Sequence, residues 1–113
     1  MTLSRFAVAA ILTVAFSATA SAQVANGRYQ IGGCTTNAVD TVVQLENNVL
    51  SFFEATCTLA NPLPIDGTNG FSYLGQCAGE AEEWQANMML IPMDGGMRMI
   101  NDGVIQDFAR CEG

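Results

Sequence analysis

The first 22 residues constrain what this chain can fold into more than any later segment. A single cation, Arg5, precedes an apolar run over residues 6–16, and Ala20-Ser21-Ala22 matches the small-residue cleavage signal of exported proteins. We therefore predict a signal peptide over residues 1–22, followed by a single small domain over residues 23–113. The apolar run is shorter than the ~20 residues that a membrane-spanning helix needs, so we expect a secreted or periplasmic protein without membrane insertion.

Export makes the cysteines the strongest restraint on the mature domain. A domain of this size buries only ~60–65% of its unfolded surface, so cross-links would help to stabilise it. Its four cysteines are Cys34, Cys57, Cys77 and Cys111. An even number of cysteines in a small exported chain indicates two disulfides, with three possible pairings. We predict Cys34–Cys57 and Cys77–Cys111, because each half runs from a tyrosine-bearing strand into a cysteine and then through a hairpin to a second cysteine.

Turn signals at short intervals predict an all-β fold. Segments with alternating apolar and polar residues lie between clusters of Gly, Pro, Asn and Asp, which is the pattern of antiparallel strands. Asn47-Asn48 and Asp102-Gly103 have the composition of tight hairpin turns, and residues 61–70 form the main predicted loop. We expect a compact barrel or sandwich of six or seven strands. The predicted strands cover residues 28–33, 41–46, 49–59, 71–77, 84–91, 97–100 and 104–111.

The predicted strand over residues 49–59 is irregular. Its apolar residues change from one face to the other near Ser51 and Phe52. Such a change indicates either a β-bulge at this point or a strand that is buried on both faces.

The predicted strand that begins at Trp84 has a helical alternative. Residues 80–90 contain good helix formers and could form a short helix instead. On a strand, alternate side chains share one face, which would place Trp84 together with Ala86, Met88 and Leu90. We therefore predict that Trp84 is a buried core residue.

The charge balance excludes several classes of function. The chain has 11 acidic residues, four basic residues and no histidine, for a net charge of −7. A polyphosphate would be repelled, so we expect no nucleic-acid partner, whereas a basic extracytoplasmic protein would be attracted. All four basic residues are arginines, and without histidine or lysine the usual general bases near neutral pH are missing. We predict no enzymatic activity, no catalytic residues, and no cofactor or metal.

Two clusters of side chains offer alternative functions. The acidic residues Glu80, Glu82 and Glu83 lie beside Trp84, and paired carboxylates with an aromatic platform could bind or hydrolyse a glycan. The second cluster consists of methionines, whose thioethers at close spacing can bind Cu(I). Its members are Met88, Met89, Met93, Met97 and Met99. A solvated acidic turn and gap-filling core side chains explain the same residues more simply.

Three stretches carry a resemblance to known proteins. Residues 53–62 read Phe-Glu-Ala-Thr-Cys-Thr-Leu-Ala-Asn-Pro, Cys77-Ala-Gly-Glu80 is closely followed by Trp84, and Ala109-Arg-Cys111 lies near the end of the chain. In these stretches the chain resembles small uncharacterised exported proteins of Gram-negative bacteria, a group without an assigned activity. The resemblance covers most of residues 23–113 and implies export to an oxidising compartment.

Size and compartment suggest the class of function. Periplasmic inhibitors of lysozymes and proteases are small disulfide-bonded β-barrels, although the Ser-Gly-x-x-Tyr loop of one lysozyme-inhibitor group is absent from this sequence. By this fold-level analogy, we expect an exported, non-enzymatic binding or inhibitory module that acts on another extracytoplasmic protein.

Overall fold

Eight antiparallel strands form a closed barrel in the computed structural model, which describes residues 24–35 and 39–111. Each strand pairs with its neighbour along the chain, and the last strand returns to pair with the first. The predicted all-β antiparallel fold is confirmed, whereas the predicted number of six or seven strands is wrong. A 3-10 turn, Val39–Thr41, precedes the second strand. The strands are β1 (Gly27–Ile31), β2 (Val42–Glu46), β3 (Val49–Ser51), β4 (Ala55–Pro64), β5 (Phe71–Gly79), β6 (Glu82–Met93), β7 (Gly96–Asn101) and β8 (Val104–Cys111).

The additional strand arises because residues 49–59 do not form one strand. β3 ends at Ser51, and the chain then reverses, with the Phe52 amide donating to the Ala55 carbonyl at 2.7 Å. β4 begins at Ala55 and pairs antiparallel to β3. The change of apolar face, which predicted a bulge or two buried faces, therefore marks a complete reversal of the chain.

β4 also extends into the predicted loop over residues 61–70. The strand continues to Pro64, and its register with β5 shifts between Ala60 and Leu63. Asn61 lies inside this shift with a φ of 55°, a left-handed conformation that asparagine tolerates better than most residues. The shift is a β-bulge, so the chain turns only after Pro64.

Both predicted hairpin turns are confirmed. Asn47 and Asn48 have φ values of 52° and 69°, and Asp102 and Gly103 have values of 51° and 91°. Two successive residues with positive φ give a turn whose twist matches the right-handed twist of the strands it joins. The helical alternative for residues 80–90 is wrong, because these residues form the β5–β6 turn and most of β6.

Inward-facing side chains from all eight strands form the core of the barrel. They alternate with outward-facing side chains along each strand, as the pleat requires. An eight-stranded barrel is just wide enough to be filled in this way or to hold one small ligand. The buried apolar core consists of Tyr29, Val43, Leu45, Leu50, Cys57, Leu59, Tyr73, Cys77, Ala86, Met88, Leu90, Met97, Met99 and Phe108.

The disulfides connect Cys34 to Cys111 and Cys57 to Cys77, so the predicted pairing is wrong. Cys57 and Cys77 lie directly opposite each other on β4 and β5, with their Cα atoms 4.0 Å apart. Cys34 follows β1 and Cys111 ends β8, and closure of the barrel places these two strands side by side. The prediction assumed two separate halves, but the barrel joins the halves through β4 and β5 and joins the ends through β1 and β8.

Two disulfides are typical of proteins that fold in an oxidising, extracytoplasmic environment. The predicted signal peptide, residues 1–22, lies outside the described residues. Within the described ranges, no helix is long and apolar enough to cross a membrane.

Candidate functional site

Trp84 lies at the rim of the barrel and is 42% exposed, so the prediction that it is a core residue is wrong. It does share the inward face of β6 with Ala86, Met88 and Leu90, which are all buried. Trp84 is more exposed than these residues because the neighbouring strand does not reach it: the pairing of β6 with β7 begins only at Met88. Trp84 is four residues closer to the end of the hairpin, where β7 no longer covers the inward face.

Residues 82–87 of β6 extend beyond the pairing with β7, and we call this segment the overhang. Part of its backbone is unpaired on one side. Asn87 exchanges two hydrogen bonds with Asp102 of the β7–β8 turn: its amide donates to the Asp102 carboxylate at 3.2 Å, and its carbonyl accepts from the Asp102 amide at 3.0 Å. The backbone of Asn87 therefore points away from β5. Antiparallel strands alternate in this respect, so the amides and carbonyls of Glu83 and Gln85 point the same way, and β6 pairs at these positions only with β5 within the described chain.

Acidic and aromatic side chains surround this overhang. The β3–β4 loop approaches the hairpin closely, since a Cβ placed on Gly79 would lie 3.2 Å from the Glu54 carbonyl oxygen and 3.4 Å from the Trp84 ring. Phe53 in the same loop is 59% exposed. We call this surface the Trp84 rim, and its members, all exposed, are Phe53, Glu54, Glu80, Glu82, Glu83 and Trp84. A depression of about 400 Å³ lies against it, lined in part by Gln76, Ala78 and Gln85.

The basic residues of the described chain lie on other strands than the rim. Arg98 on β7 donates two hydrogen bonds to the Asp107 carboxylate, at 2.7 and 3.0 Å. These bonds raise the pKa of Arg98 and hold the pKa of Asp107 below its usual value. Arg110 on β8 donates to the Asn26 carbonyl at 2.7 Å, and Arg28 lies on β1. The four carboxylates of the Trp84 rim therefore have no cation on their own elements to offset them.

The geometry of the rim does not favour carboxylate catalysis. Glu82 and Glu83 are consecutive residues of β6, so their side chains point to opposite faces of the hairpin. Glu80 lies in the turn that precedes them. A pair of carboxylates that face each other across a cleft, as glycoside hydrolysis requires, is not formed by these three residues. Among the described residues, no group of three His, Cys, Asp or Glu side chains could hold a metal ion.

The methionine cluster is divided between the two faces of the sheet. Met88, Met97 and Met99 are buried in the core, where they fill space between the strands. Met89 and Met93 are exposed on the outer face of β6. The described structure therefore does not bring three exposed thioethers together at this cluster.

The overhang is not among the features predicted from the sequence, although the sequence contains a signal for it. β6 has 12 residues and β7 has six, and this difference could have been found by comparing the distances between successive turn signals. A long strand followed by a short one predicts a hairpin end that its next neighbour does not cover.

Comparison with protein-family models, with curated proteins and with solved structures finds no match to this chain.

Proposed function

We propose that this chain is an exported, non-enzymatic binding module that contacts another extracytoplasmic protein through the Trp84 rim. One observation carries the proposal: Trp84 is 42% exposed on a stretch of β6 whose outer backbone edge is unpaired among the described residues. Tryptophan is enriched among the residues that dominate binding energy in protein interfaces. An exposed indole beside free backbone donors and acceptors is the combination that a protein partner can use.

The charge of the rim supports a basic partner. Glu54, Glu80, Glu82 and Glu83 lie around Trp84, and the chain as a whole has a net charge of −7. Surface charge of one sign attracts a partner of the opposite sign and raises the rate of encounter, most strongly at low salt. The same charge disfavours nucleic acids and a second copy of this acidic chain.

The open edge of β6 supports a mode of contact. Glu83 and Gln85 present two amides and two carbonyls to the outside of the hairpin, which is the geometry that accepts an added strand. Native proteins use charged side chains to prevent unwanted strands from pairing with such edges. The glutamates of the rim disfavour the addition of acidic or neutral strands in this way. An extended basic segment of the partner would satisfy the backbone groups and the charge together.

Binding can be tested by capture of extracytoplasmic bacterial proteins on the disulfide-intact chain. We expect a basic protein to be retained by the wild type and lost by the variant Glu80→Gln/Glu82→Gln/Glu83→Gln.

We also expect Trp84→Ala to weaken the purified complex by about 30-fold or more, since truncation of a central interface tryptophan costs ~2 kcal/mol or more. Trp84 is the one tryptophan of the chain, so 5-fluorotryptophan labelling gives a single ¹⁹F signal that should shift when the purified partner is added.

A matched control removes three carboxylates from the other end of the barrel. Glu46→Gln/Asp66→Asn/Asp94→Asn changes the net charge by the same amount at exposed positions beside the β2–β3, β4–β5 and β6–β7 connections. This variant should retain the partner. Equal loss from both triple variants would indicate attraction by net charge alone, and retention by the Trp84-rim variant with an unmoved ¹⁹F signal would refute the proposed surface.

A further inference from the structure

A cavity of about 210 Å³ opens at the end of the barrel opposite the Trp84 rim. None of the residues that line it is charged: they include the inward-facing side chains Leu45, Leu59 and Leu90, and the exposed Asn47 and Asn48 of the β2–β3 turn. Antiparallel strands place the β2–β3 turn and the β3–β4 loop at opposite ends of β3. The cavity is therefore separate from the surface to which we assign partner binding.

Tyr73 is the buried polar side chain among the residues that line this cavity. The residue lines the cavity and is 7% exposed, and its hydroxyl has no hydrogen-bond partner among the described residues. Tyr29, by contrast, donates its hydroxyl to the Ala25 carbonyl. Burial raises the pKa of Tyr73, so at neutral pH the group is a protonated donor. A buried polar group without a partner is rare in folded proteins and calls for a ligand or an ordered water.

The mouth of the cavity is organised by the segment before β1. The Asn26 side chain accepts a hydrogen bond from the Asn47 amide at 3.1 Å, which holds this segment beside the β2–β3 turn. Val24 packs partly against the core and also lines the cavity. The opening is thus bordered by neutral amides and by one apolar side chain.

We propose that this cavity is a binding site for a small neutral molecule, about the size of a single ring, that accepts a hydrogen bond from the Tyr73 hydroxyl. The size follows from the volume, since a cavity of ~150 Å³ is sufficient for benzene. A lining without charged residues favours an uncharged ligand, because a buried charge needs a partner that these residues do not provide. The Tyr73 hydroxyl, as the hydrogen-bond donor of this site, favours a carbonyl or ether oxygen on the ligand.

Three probes of similar shape test the site: acetophenone, which has an acceptor; ethylbenzene, which has none; and benzoate, which is charged. Binding would be followed by amide and methyl NMR shifts of the disulfide-intact protein. We expect acetophenone to shift Leu45, Leu59, Tyr73 and Leu90 and to bind about 2- to 12-fold more tightly than ethylbenzene, the range that one neutral hydrogen bond provides. Benzoate should bind more weakly than either neutral probe.

Tyr73→Phe keeps the ring and removes the hydroxyl, so it should abolish the preference for acetophenone over ethylbenzene. Tyr29→Phe is the matched control, because it removes a hydroxyl that is already bonded to Ala25, and it should leave the preference unchanged. Absence of shifts at the cavity with every probe would overturn the proposal, as would a preference for acetophenone that persists in Tyr73→Phe. Neither result depends on the Trp84 rim, so the two proposals can fail separately.

Discussion

At the scale of single residues, Trp84 and Met88 show how position along one strand changes the role of a side chain. Both point to the inward face of β6, yet Trp84 is 42% exposed and Met88 is fully buried. Met88 lies where β7 begins to pair with β6, and Trp84 lies beyond that point. The larger side chain therefore contributes less to the core and is available for binding.

This difference predicts an order of stabilities. Met88→Ala should lower the free energy of unfolding by about 2–5 kcal/mol, because it removes buried methylenes and leaves a cavity. Trp84→Ala should cost less than half of the Met88→Ala value, since solvent already reaches much of the indole. Urea denaturation of both variants measures the two values under the same conditions.

Fluorescence gives an independent check on Trp84. Its emission should be quenched by acrylamide in the folded protein and should lie closer to that of an exposed indole than to that of a core tryptophan. A blue-shifted, unquenched emission, together with a loss of stability larger than that of Met88→Ala, would place Trp84 in the core and remove the basis of the proposed rim.

At the scale of secondary-structure elements, the β5–β6 hairpin has one paired and one unpaired edge. β6 extends six residues beyond its pairing with β7, over residues 82–87. The backbone groups of Glu83 and Gln85 face outwards, whereas those of Trp84 and Ala86 face β5. Proline substitution distinguishes the two sets, because proline removes the amide donor and is tolerated only where that donor is not part of a ladder.

We predict that Gln85→Pro folds with a free energy of unfolding within about 1 kcal/mol of the wild type. It removes an outward-facing amide and one exposed side-chain hydrogen bond to Gln76, a bond of small net value. Ala86→Pro should destabilise the protein by about 2 kcal/mol or more, since it removes a ladder hydrogen bond and leaves a carbonyl of β5 unpaired. Equilibrium denaturation compares the two.

The same pair of variants tests the mode of partner contact. Gln85→Pro should bind the partner more weakly than the wild type although it remains folded, because the added strand would lose one of its hydrogen bonds. If Gln85→Pro were as destabilising as Ala86→Pro, the assignment of the outward edge would be wrong.

At the scale of the whole molecule, the barrel depends on closure between β1 and β8. These strands lie at the two ends of the described domain and pair over Arg28–Ile31 and Phe108–Cys111. The disulfide between Cys34 and Cys111 spans 77 residues and fixes the same junction. Next to it, the buried Gln30 side chain donates to Thr35 and Thr41 at 3.0 and 3.2 Å, which holds the segment after β1 against the barrel.

Loss of the disulfide between Cys34 and Cys111 should greatly lower the free energy of unfolding. The chain-entropy model assigns about 4.5 kcal/mol to a loop of 77 residues and about 3.3 kcal/mol to one of 20 residues, as for Cys57–Cys77. Small domains have a total stability of about 5–15 kcal/mol. We therefore expect Cys34→Ala/Cys111→Ala to lose most of its resistance to urea and Cys57→Ala/Cys77→Ala to be destabilised by several kcal/mol.

Peptide mapping without reduction checks the connectivity directly. Linked peptides should contain Cys34 with Cys111 and Cys57 with Cys77. A peptide that joins Cys34 to Cys57 would contradict the barrel closure described above and would restore the model of two separate halves.

The sequence by itself determined those features that depend on neighbouring residues. Alternation of apolar residues predicted antiparallel strands, Asn47-Asn48 and Asp102-Gly103 predicted their turns, and the inward face of β6 followed from its period of two. These features are local because backbone twist and the pleat act over a few residues. The chain reversal at residues 52–54 also left a signal in the sequence, because the apolar residues change from one strand face to the other at this point. A β-bulge would give the same signal.

Tertiary structure alone decided which cysteines pair, how much of Trp84 is exposed, and where a cavity remains. Each of these depends on which strands become neighbours and on where their ends lie relative to one another. Closure places β1 beside β8, and the unequal lengths of β6 and β7 uncover the hairpin end. These relations join residues far apart in the chain, and a periodic pattern within one strand contains no information about how far its partner extends.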